Sequence, residues 1–247
     1  MFDKHSLAAI LATFFVAGVV KGITGMGLPT VAMGVLGSLV SPLAAASLLI
    51  VPSFITNVWQ LLAGPGIGGL AWRLWPMMLA IVAGTAIGSS WIASGDTHLT
   101  SSLLGVALVI YSAYTLLARQ FNVPRRIEPW LSPVIGGTTG IVTGGTGVFV
   151  IPAVPYLQAL GLGKDHLVQA LGLSFTVSTL ALAAGLAVRG AFQLNDIGLS
   201  ALAVVPALAG MWTGQIVRYR ISSRTFRRGF LVSLLLLGSE MALRPLF

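Results

Sequence analysis

The chain has 247 residues, of which 56% are hydrophobic and only 8% are charged, with a mean hydropathy of +0.94. A soluble domain carries roughly 25% charged residues, so this composition excludes a water-soluble protein and indicates a polytopic membrane protein. The net charge is +8, but there is no basic patch on a soluble fold for nucleic acid, and no cysteine for a disulfide, a thiolate metal site or a redox centre.

Ten apolar segments, separated by short charged or Gly/Pro-rich breaks, follow one another along the chain. The predicted segments are residues 6–21, 28–41, 43–63, 72–94, 98–118, 131–143, 148–162, 166–188, 197–217 and 229–244. A helix needs about 20 residues to cross a hydrocarbon core about 30 Å thick. The first two segments of each five are shorter than this. They are therefore half-spans, tight hairpins, or tilted helices that extend into their flanks.

The second half of the chain repeats the first. The stretch GVVKGITG, which begins at Gly18, returns 122 residues later as GIVTGGTG, and further matches follow in the same order at similar shifts. These matches are residues 52–64 with 173–185, Gly84 with Gly210, and Gly88 with Gly214. We therefore expect two copies of a five-segment unit, residues 1–118 and 131–247, joined by a basic cytoplasmic linker, residues 119–130.

Basic residues orient the two units. Eight of the fourteen Lys and Arg residues lie in two loops, which the positive-inside rule predicts to be cytoplasmic. They are Arg119, Arg125, Arg126, Arg218, Arg220, Arg224, Arg227 and Arg228. The first-unit loop that corresponds to 218–228 is 94–98, which carries an aspartate and no Lys or Arg. This opposite bias predicts an all-α membrane protein built of two inverted repeats, an architecture that recurs in secondary transporters.

Glycine interrupts the first segment of each unit. In VKGITGMGLP (20–29) three glycines and a proline follow a lysine, and the second unit has TGGTG (143–147) at the same place. Non-helical backbone at membrane depth persists only where it is buried in protein or lines a cavity. A helix that restarts there offers free N–H groups to an anion. An anion would also offset the cost of Lys21, about 2.5–3.5 kcal/mol at mid-membrane, so the two features together predict an anion site.

Polar side chains inside the third segment of each unit point to the same site. Ser53, Asn57 and Gln60 follow the i, i+4, i+7 spacing of one helix face, and their hydroxyl and amide groups can bond the oxygens of a tetrahedral or pyramidal anion. Two of the three counterparts in the second unit, Ser174 and Ser178, are also polar. The predicted substrate-binding residues are Lys21, Gly22, Thr24, Gly25, Gly27, Ser53, Asn57, Gln60, Thr143, Gly144, Thr146, Gly147, Ser174 and Ser178.

Structural explanations compete with each of these assignments. Glycines in membrane helices most often allow close packing, which is the better explanation for the pairs Gly84/Gly88 and Gly210/Gly214. Lys21 could instead extend its ammonium to a membrane interface. The polar side chains could hydrogen-bond between helices.

The glycine-interrupted KGITGMGLP (21–29), its counterpart TGIVTGGTGVFVIP (139–152) and the two-unit layout resemble the TauE/SafE family of sulfite exporters, also called the 4-toluene sulfonate uptake permease family. The resemblance covers essentially the whole chain. It implies a multi-pass carrier of the bacterial inner membrane for sulfur-containing anions such as sulfite, organosulfonates or sulfoacetate.

We therefore expect a secondary transporter that moves a small sulfur oxyanion across the lipid bilayer by alternating access, with no cofactor. The proton and the sodium ion are the candidate coupling ions; the sequence leaves open which of them is used, the direction of transport and the oligomeric state. An intramembrane enzyme is less favoured, because the His, Asp and Cys residues it would need are absent from the middle of the segments. An anion channel is the main alternative, since the same motif could line a pore.

Overall fold

The structure, a computed structural model of the chain, describes residues 4–94, 96–117, 122–191, 194–218 and 223–243. These residues form helices and short connections, with no strand among them. The helices are α1 (Lys4–Thr24), α2 (Leu28–Leu39), α3 (Pro42–Leu62), α4 (Ile67–Ala93), α5 (Thr97–Leu117), α6 (Glu128–Thr146), α7 (Ala153–Ala159), α8 (Lys164–Val188), α9 (Leu194–Leu202), α10 (Val204–Arg218) and α11 (Ser223–Leu243). In the described part of the chain, six spans are long and apolar enough to cross a membrane, which confirms the predicted all-α polytopic class. Of the basic loop residues, Arg119, Arg220 and the side chain of Arg224 lie outside the described residues.

The ten predicted segments correspond to these helices. The ninth segment, predicted over 197–217, matches a candidate membrane span over Ile197–Arg218, within which a turn at Ala203 separates α9 from α10. Pro206 has no N–H to donate to the carbonyl oxygen of Leu202, so one hydrogen bond is missing here. The bonds from Ala203 to Leu199 and from Ala207 to Ala203 continue the ladder on either side.

The short segments have two different outcomes. The first segment of each half extends into its flanks, because α1 has 21 residues and α6 has 19. The second segments remain short, since α2 has 12 residues and α7 only 7. At 1.5 Å per residue α2 is about 18 Å long, which is too short to cross a hydrocarbon core of about 30 Å by itself.

A proline inside α3 is compensated by a neighbouring helix. Pro52 cannot donate to the carbonyl oxygen of Leu48, which would otherwise lack a partner inside the protein. The hydroxyl of Ser200 in α9 donates to that oxygen at 2.8 Å, and its own oxygen accepts from the N–H of Val51 at 3.2 Å. This contact fixes α9 against the middle of α3.

Glycines bring helices of the two halves into backbone contact, with α1 on α10 and α4 on α6. An added Cβ at Gly18 would lie 2.2 Å from the carbonyl oxygen of Ala207, and one at Gly140 would lie 2.3 Å from that of Ile81. Gly140 is the repeat counterpart of Gly18, and Ala207 is the counterpart of Ile81, so the repeated positions make the same contact. The four glycines for which close packing was the better explanation are also in backbone contact across these interfaces: Gly84, Gly88, Gly210 and Gly214.

Corresponding helices of the two halves run antiparallel where they meet. Near the end of α3, Gly64 packs on Gln169 at the start of α8, whereas Asn57, earlier in α3, donates to Thr179 further along α8. The pair α5 and α11 has the same arrangement, because Gly105 contacts Ala242 while Val109 contacts Gly238. This geometry is compatible with an inverted repeat, which stays a prediction.

Candidate anion-binding site

A cavity of about 650 Å³ lies between α1, α3, α8 and α10. Its volume falls within the range of about 300–1,000 Å³ that is usual for ligand pockets. Its polar lining residues are Lys21, Thr56, Gln60, Gln215 and Arg218. Its larger apolar lining residues are Trp59, Val168, Met211, Trp212 and Ile216. Since Arg218 is the last residue of α10, the cavity extends toward the arginine-rich loop that was predicted to be cytoplasmic.

Lys21 lies in the wall of this cavity, with its side chain turned into the protein. The residue is only 3% exposed, so it does not extend to an interface. Its ammonium donates to Thr56 Oγ1 at 3.0 Å and to Asn57 Oδ1. Among the described residues no Asp or Glu forms an ion pair with it. An ammonium has three protons, so two neutral acceptors leave one proton and the whole positive charge for a ligand in the cavity.

Both acceptors of Lys21 are themselves held in place. The hydroxyl of Thr56 donates to the carbonyl oxygen of Pro52 at 2.8 Å, which leaves its oxygen free to accept from the lysine. Because a lysine only donates, the oxygen of the Asn57 amide faces it, and the amide nitrogen donates to Thr179 Oγ1 at 3.4 Å. The position of the ammonium is therefore set by α3 and, through Asn57, by α8.

The first break, residues 25–27, follows Lys21 by one helical turn. The N–H of Gly25 donates to the carbonyl oxygen of Lys21 at 2.7 Å, and Gly25 has a left-handed backbone with φ of +77°. The hydroxyl of Thr24 donates to Val20 at 2.8 Å and accepts from the N–H of Met26 at 3.3 Å. The chain then restarts as α2 with a proline in its first turn, as the sequence predicts.

The second break, residues 147–152, begins with the same turn. The N–H of Gly147 donates to Thr143 at 2.7 Å, and its φ is +70°. The hydroxyl of Thr146 donates to Val142 at 2.6 Å and accepts from the N–H of Val148 at 3.2 Å. Each of these residues is the repeat counterpart of one in the first break. The hydroxyls of Thr24 and Thr146, which were predicted to bind substrate, are therefore engaged in forming the turns.

Gln60, in α3, links the first break to α3 and to α8 through hydrogen bonds. Its amide nitrogen donates to the carbonyl oxygen of Gly25 at 3.1 Å and to that of Val168 in α8 at 3.0 Å. Both donors of the amide are thus used inside the protein, and Gln60 contributes to the cavity mainly by holding Gly25 in its wall.

The cavity brings together only some of the predicted residues. Lys21, Gly22, Gly25 and Gln60 line it, with Asn57 directly behind the lysine. Gly27 packs on Val20 and Phe230, Gly144 packs on Ser89, and Gly147 packs on Met33, while Thr143 is buried in the second break. Three predicted hydroxyls are fully buried and have no hydrogen-bond partner among the described residues: Ser53, Ser174 and Ser178.

The sequence reasoning missed three polar residues that matter here. Thr56 accepts from Lys21, Thr179 accepts from Asn57, and Gln215 lines the cavity. A signal for Thr56 was present, because it precedes Gln60 by four residues and so shares its helix face. Gln215 stands out as an amide within an apolar segment.

Six candidate membrane spans among the described residues define a polytopic membrane protein, and a charged residue buried beside a cavity within such spans is typical of a substrate or ion pathway. The sequence model described as "Sulfite exporter TauE/SafE" matches residues 10–241, and the chain belongs to this family. The resemblance expected from the glycine motifs is thereby confirmed. A search of curated proteins and a search of solved structures each found no match.

Proposed function

We propose that this protein is a secondary transporter that moves small sulfur-containing anions, such as sulfite, organosulfonates or sulfoacetate-like compounds, across a bacterial inner membrane. Membership of the sulfite exporter family supports the transported class. The observation that carries the proposal is the ammonium of Lys21, which is buried at the cavity with two neutral hydrogen-bond acceptors.

A bound anion would complete the surroundings of Lys21. Charged residues inside membrane segments are rare and almost always have a partner, and none of the described carboxylates fills that role. An oxyanion in the cavity would accept the remaining ammonium proton and would also be within the space lined by the amide of Gln215. Arg218 adds a second positive charge to the cavity lining, which favours entry of an anion from that side.

The apolar part of the cavity bears on the size of the substrate. Trp59, Met211 and Trp212 line the apolar side of the cavity, where each tryptophan is 67% exposed, and the volume of about 650 Å³ is larger than a sulfite ion. An organosulfonate would place its anionic group at Lys21 and its carbon skeleton against the tryptophans. The shape of the cavity therefore supports organic sulfonates at least as strongly as sulfite.

The proposed mechanism is alternating access of two inverted units, residues 1–118 and 131–247, with 119–130 as a cytoplasmic linker. The antiparallel pairing of α3 with α8 and of α5 with α11 supports this arrangement. So do the matching glycine contacts of α1 with α10 and of α6 with α4. A gradient of protons or sodium ions would drive the exchange between the two states.

The experiment that tests this function uses purified protein reconstituted in liposomes. Calorimetric titration with sulfite, a short alkyl sulfonate, an aryl sulfonate, sulfate and phosphate should show binding of at least one sulfur anion. The same anion should show saturable uptake and counterflow when it is loaded inside the liposomes. Flux that neither saturates nor supports counterflow would indicate a channel, and absence of binding for every sulfur anion would contradict the proposal.

A further inference from the structure

The C-terminal end of α8 is hydrogen-bonded to α4 and packs directly against it. Arg189 donates one hydrogen bond to the carbonyl oxygen of Ala86 in α4 at 2.8 Å and another to that of Gly185 at 3.1 Å. Gly185 lies directly against Ser89, because an added Cβ would be 2.6 Å from the oxygen of that serine. We refer to these four residues as the α4–α8 seam.

The seam is the repeat counterpart of one wall of the cavity. At the repeat shift of 126 residues, Ala86 and Ser89 correspond to Trp212 and Gln215, which line the cavity on α10. The sequence repeat likewise makes α8 the counterpart of α3, and α3 forms the wall of the cavity opposite α10. The two equivalent helix pairs therefore differ: a cavity separates α3 from α10, whereas α8 is in direct contact with α4.

The cavity and the seam lie toward opposite ends of the α3–α8 pair. The cavity is lined by residues 56–63 at the C-terminal end of α3, and the seam lies at the C-terminal end of α8. Because these two helices run antiparallel, their C-terminal ends point in opposite directions. One end of the pair is thus open, and the other is closed.

Buried hydroxyl groups lie between the cavity and the seam. Asn57, which holds Lys21, donates to Thr179, and α8 continues from there to Gly185. Ser178 on α8 and Thr85 on α4 are fully buried without a hydrogen-bond partner among the described residues. A buried hydroxyl without a partner is unfavourable, and the oxygen of a passing anion would accept its hydrogen bond.

We propose that the α4–α8 seam is the second opening of the anion pathway, closed in this state by Arg189. The inference rests on the proposed function, since two alternating openings have meaning only for a transporter. When the two halves exchange their arrangements, α8 separates from α4 and Arg189 releases Ala86. Its guanidinium then faces the passing anion, as Arg218 does at the open cavity.

Cross-linking across the seam tests this proposal, and the chain has no native cysteine to interfere. The double variant Ala86→Cys/Arg189→Cys is joined by a short bifunctional thiosulfonate reagent and reconstituted in liposomes. We expect loss of counterflow, retained binding of the anion in the cavity, and recovery of flux after reduction. The double variant before treatment sets the reference flux, and the Ala86→Cys single variant treated with the same reagent should keep the flux that it has without the reagent. Unchanged counterflow in the cross-linked protein would overturn the assignment of the seam.

Labelling of Ser89→Cys gives a second test that keeps Arg189. Ser89 is fully buried, so a membrane-impermeant maleimide should not react from the side opposite the arginine-rich loops when no anion is present. It should react from that side during transport. No labelling during active counterflow would also overturn the proposal. If the unmodified protein neither binds nor transports any sulfur anion, the proposed function fails instead, so the two failures are distinguishable.

Discussion

Lys21 and Asn57 are 36 positions apart in the chain, and the ammonium of the first donates a hydrogen bond to the side-chain oxygen of the second. The acceptor is a neutral amide, although a carboxylate of the same shape would bind an ammonium more strongly. A neutral acceptor positions the lysine without cancelling its charge. The positive charge therefore remains available to a substrate in the cavity.

Asn57→Asp should consequently weaken anion binding without harming the fold. The new carboxylate would form an internal ion pair with Lys21 and would repel an anion in the cavity. We expect the affinity for the sulfur anion that binds most tightly to fall by more than about tenfold, which corresponds to more than about 1.4 kcal/mol of binding free energy. Calorimetric titration measures the loss, and thermal unfolding in detergent should show stability that is unchanged or higher. Asn57→Asp with normal affinity would show that Lys21 does not hold the anion.

Lys21→Met should weaken binding to a similar extent, because the variant keeps the length and burial of the side chain but removes its charge. The free protein should be at least as stable, since a buried charge that lacks a partner of opposite charge is removed. Lys21→Arg should retain part of the affinity, because the charge remains while its geometry changes. Titration of both variants with the same anion separates the contribution of the lysine's charge to binding from that of its geometry. Unchanged affinity in Lys21→Met would remove Lys21 from the site.

The left-handed turns of the two breaks should tolerate only certain residues. A residue other than glycine in this conformation costs roughly 1–2 kcal/mol, asparagine less, and a β-branched residue more. No protein atom lies within 4 Å of an added Cβ at Gly25, so backbone strain and the volume that a side chain takes from the cavity are the two effects there. Gly25→Val should insert in the membrane but lose transport, whereas Gly25→Asn should keep a measurable rate.

A matched control for Gly25 is Gly68→Val, because Gly68 also has open space around it but no left-handed backbone. This variant should transport normally. Gly147→Val should behave like Gly25→Val, with an added contact against the side chain of Met33. Normal transport by both break variants would show that the turns are not needed for function.

The inverted arrangement makes a separate prediction about the membrane sides. Single cysteines at Arg125 and Arg224 should react with an impermeant reagent only from the cytoplasmic side, and one at Asp96 only from the opposite side. Labelling of intact spheroplasts and of inverted vesicles measures both directions. Reaction of all three positions from one side would refute the inverted repeat.

The parts of the fold that follow from local sequence could be predicted, and contacts between distant segments could not. The break at Gly25 was predictable because three glycines and a proline lie within eight residues of one another, a local cluster that disfavours a continuous helix. The turn at Ala203 depended on whether Pro206 would interrupt a helix or be accommodated within it, and the surrounding apolar residues fit both outcomes. The segment 148–162 is almost entirely apolar, yet only Ala153–Ala159 is helical; Pro152 comes directly before this helix, and Gly161, with a left-handed φ of +65°, follows it.

In the candidate site, too, local features could be predicted from the sequence and contacts between distant segments could not. A buried lysine beside a glycine break indicated an anion site from residues that are adjacent in the chain. The identity of its neighbours depended on how α1 approaches α3, so the sequence could place Thr56 on the same helix face as Gln60 but could not show that it accepts from Lys21. Gln60 was expected to face the substrate, but its donors are taken by two backbone carbonyls whose position only the packing reveals.

The long separation between Lys21 and its acceptors also has a consequence during synthesis of the protein. Thr56 leaves the ribosome 35 residues after the lysine, which corresponds to about 2–7 seconds at about 5–20 residues per second. Throughout this interval α1 would have to enter the bilayer with an unpaired lysine, at about 2.5–3.5 kcal/mol if the residue reaches the centre. The apolar run that precedes Lys21 must offset that cost alone until α3 arrives. The residues of α1 that face lipid are therefore selected for the nascent chain as well as for the finished transporter.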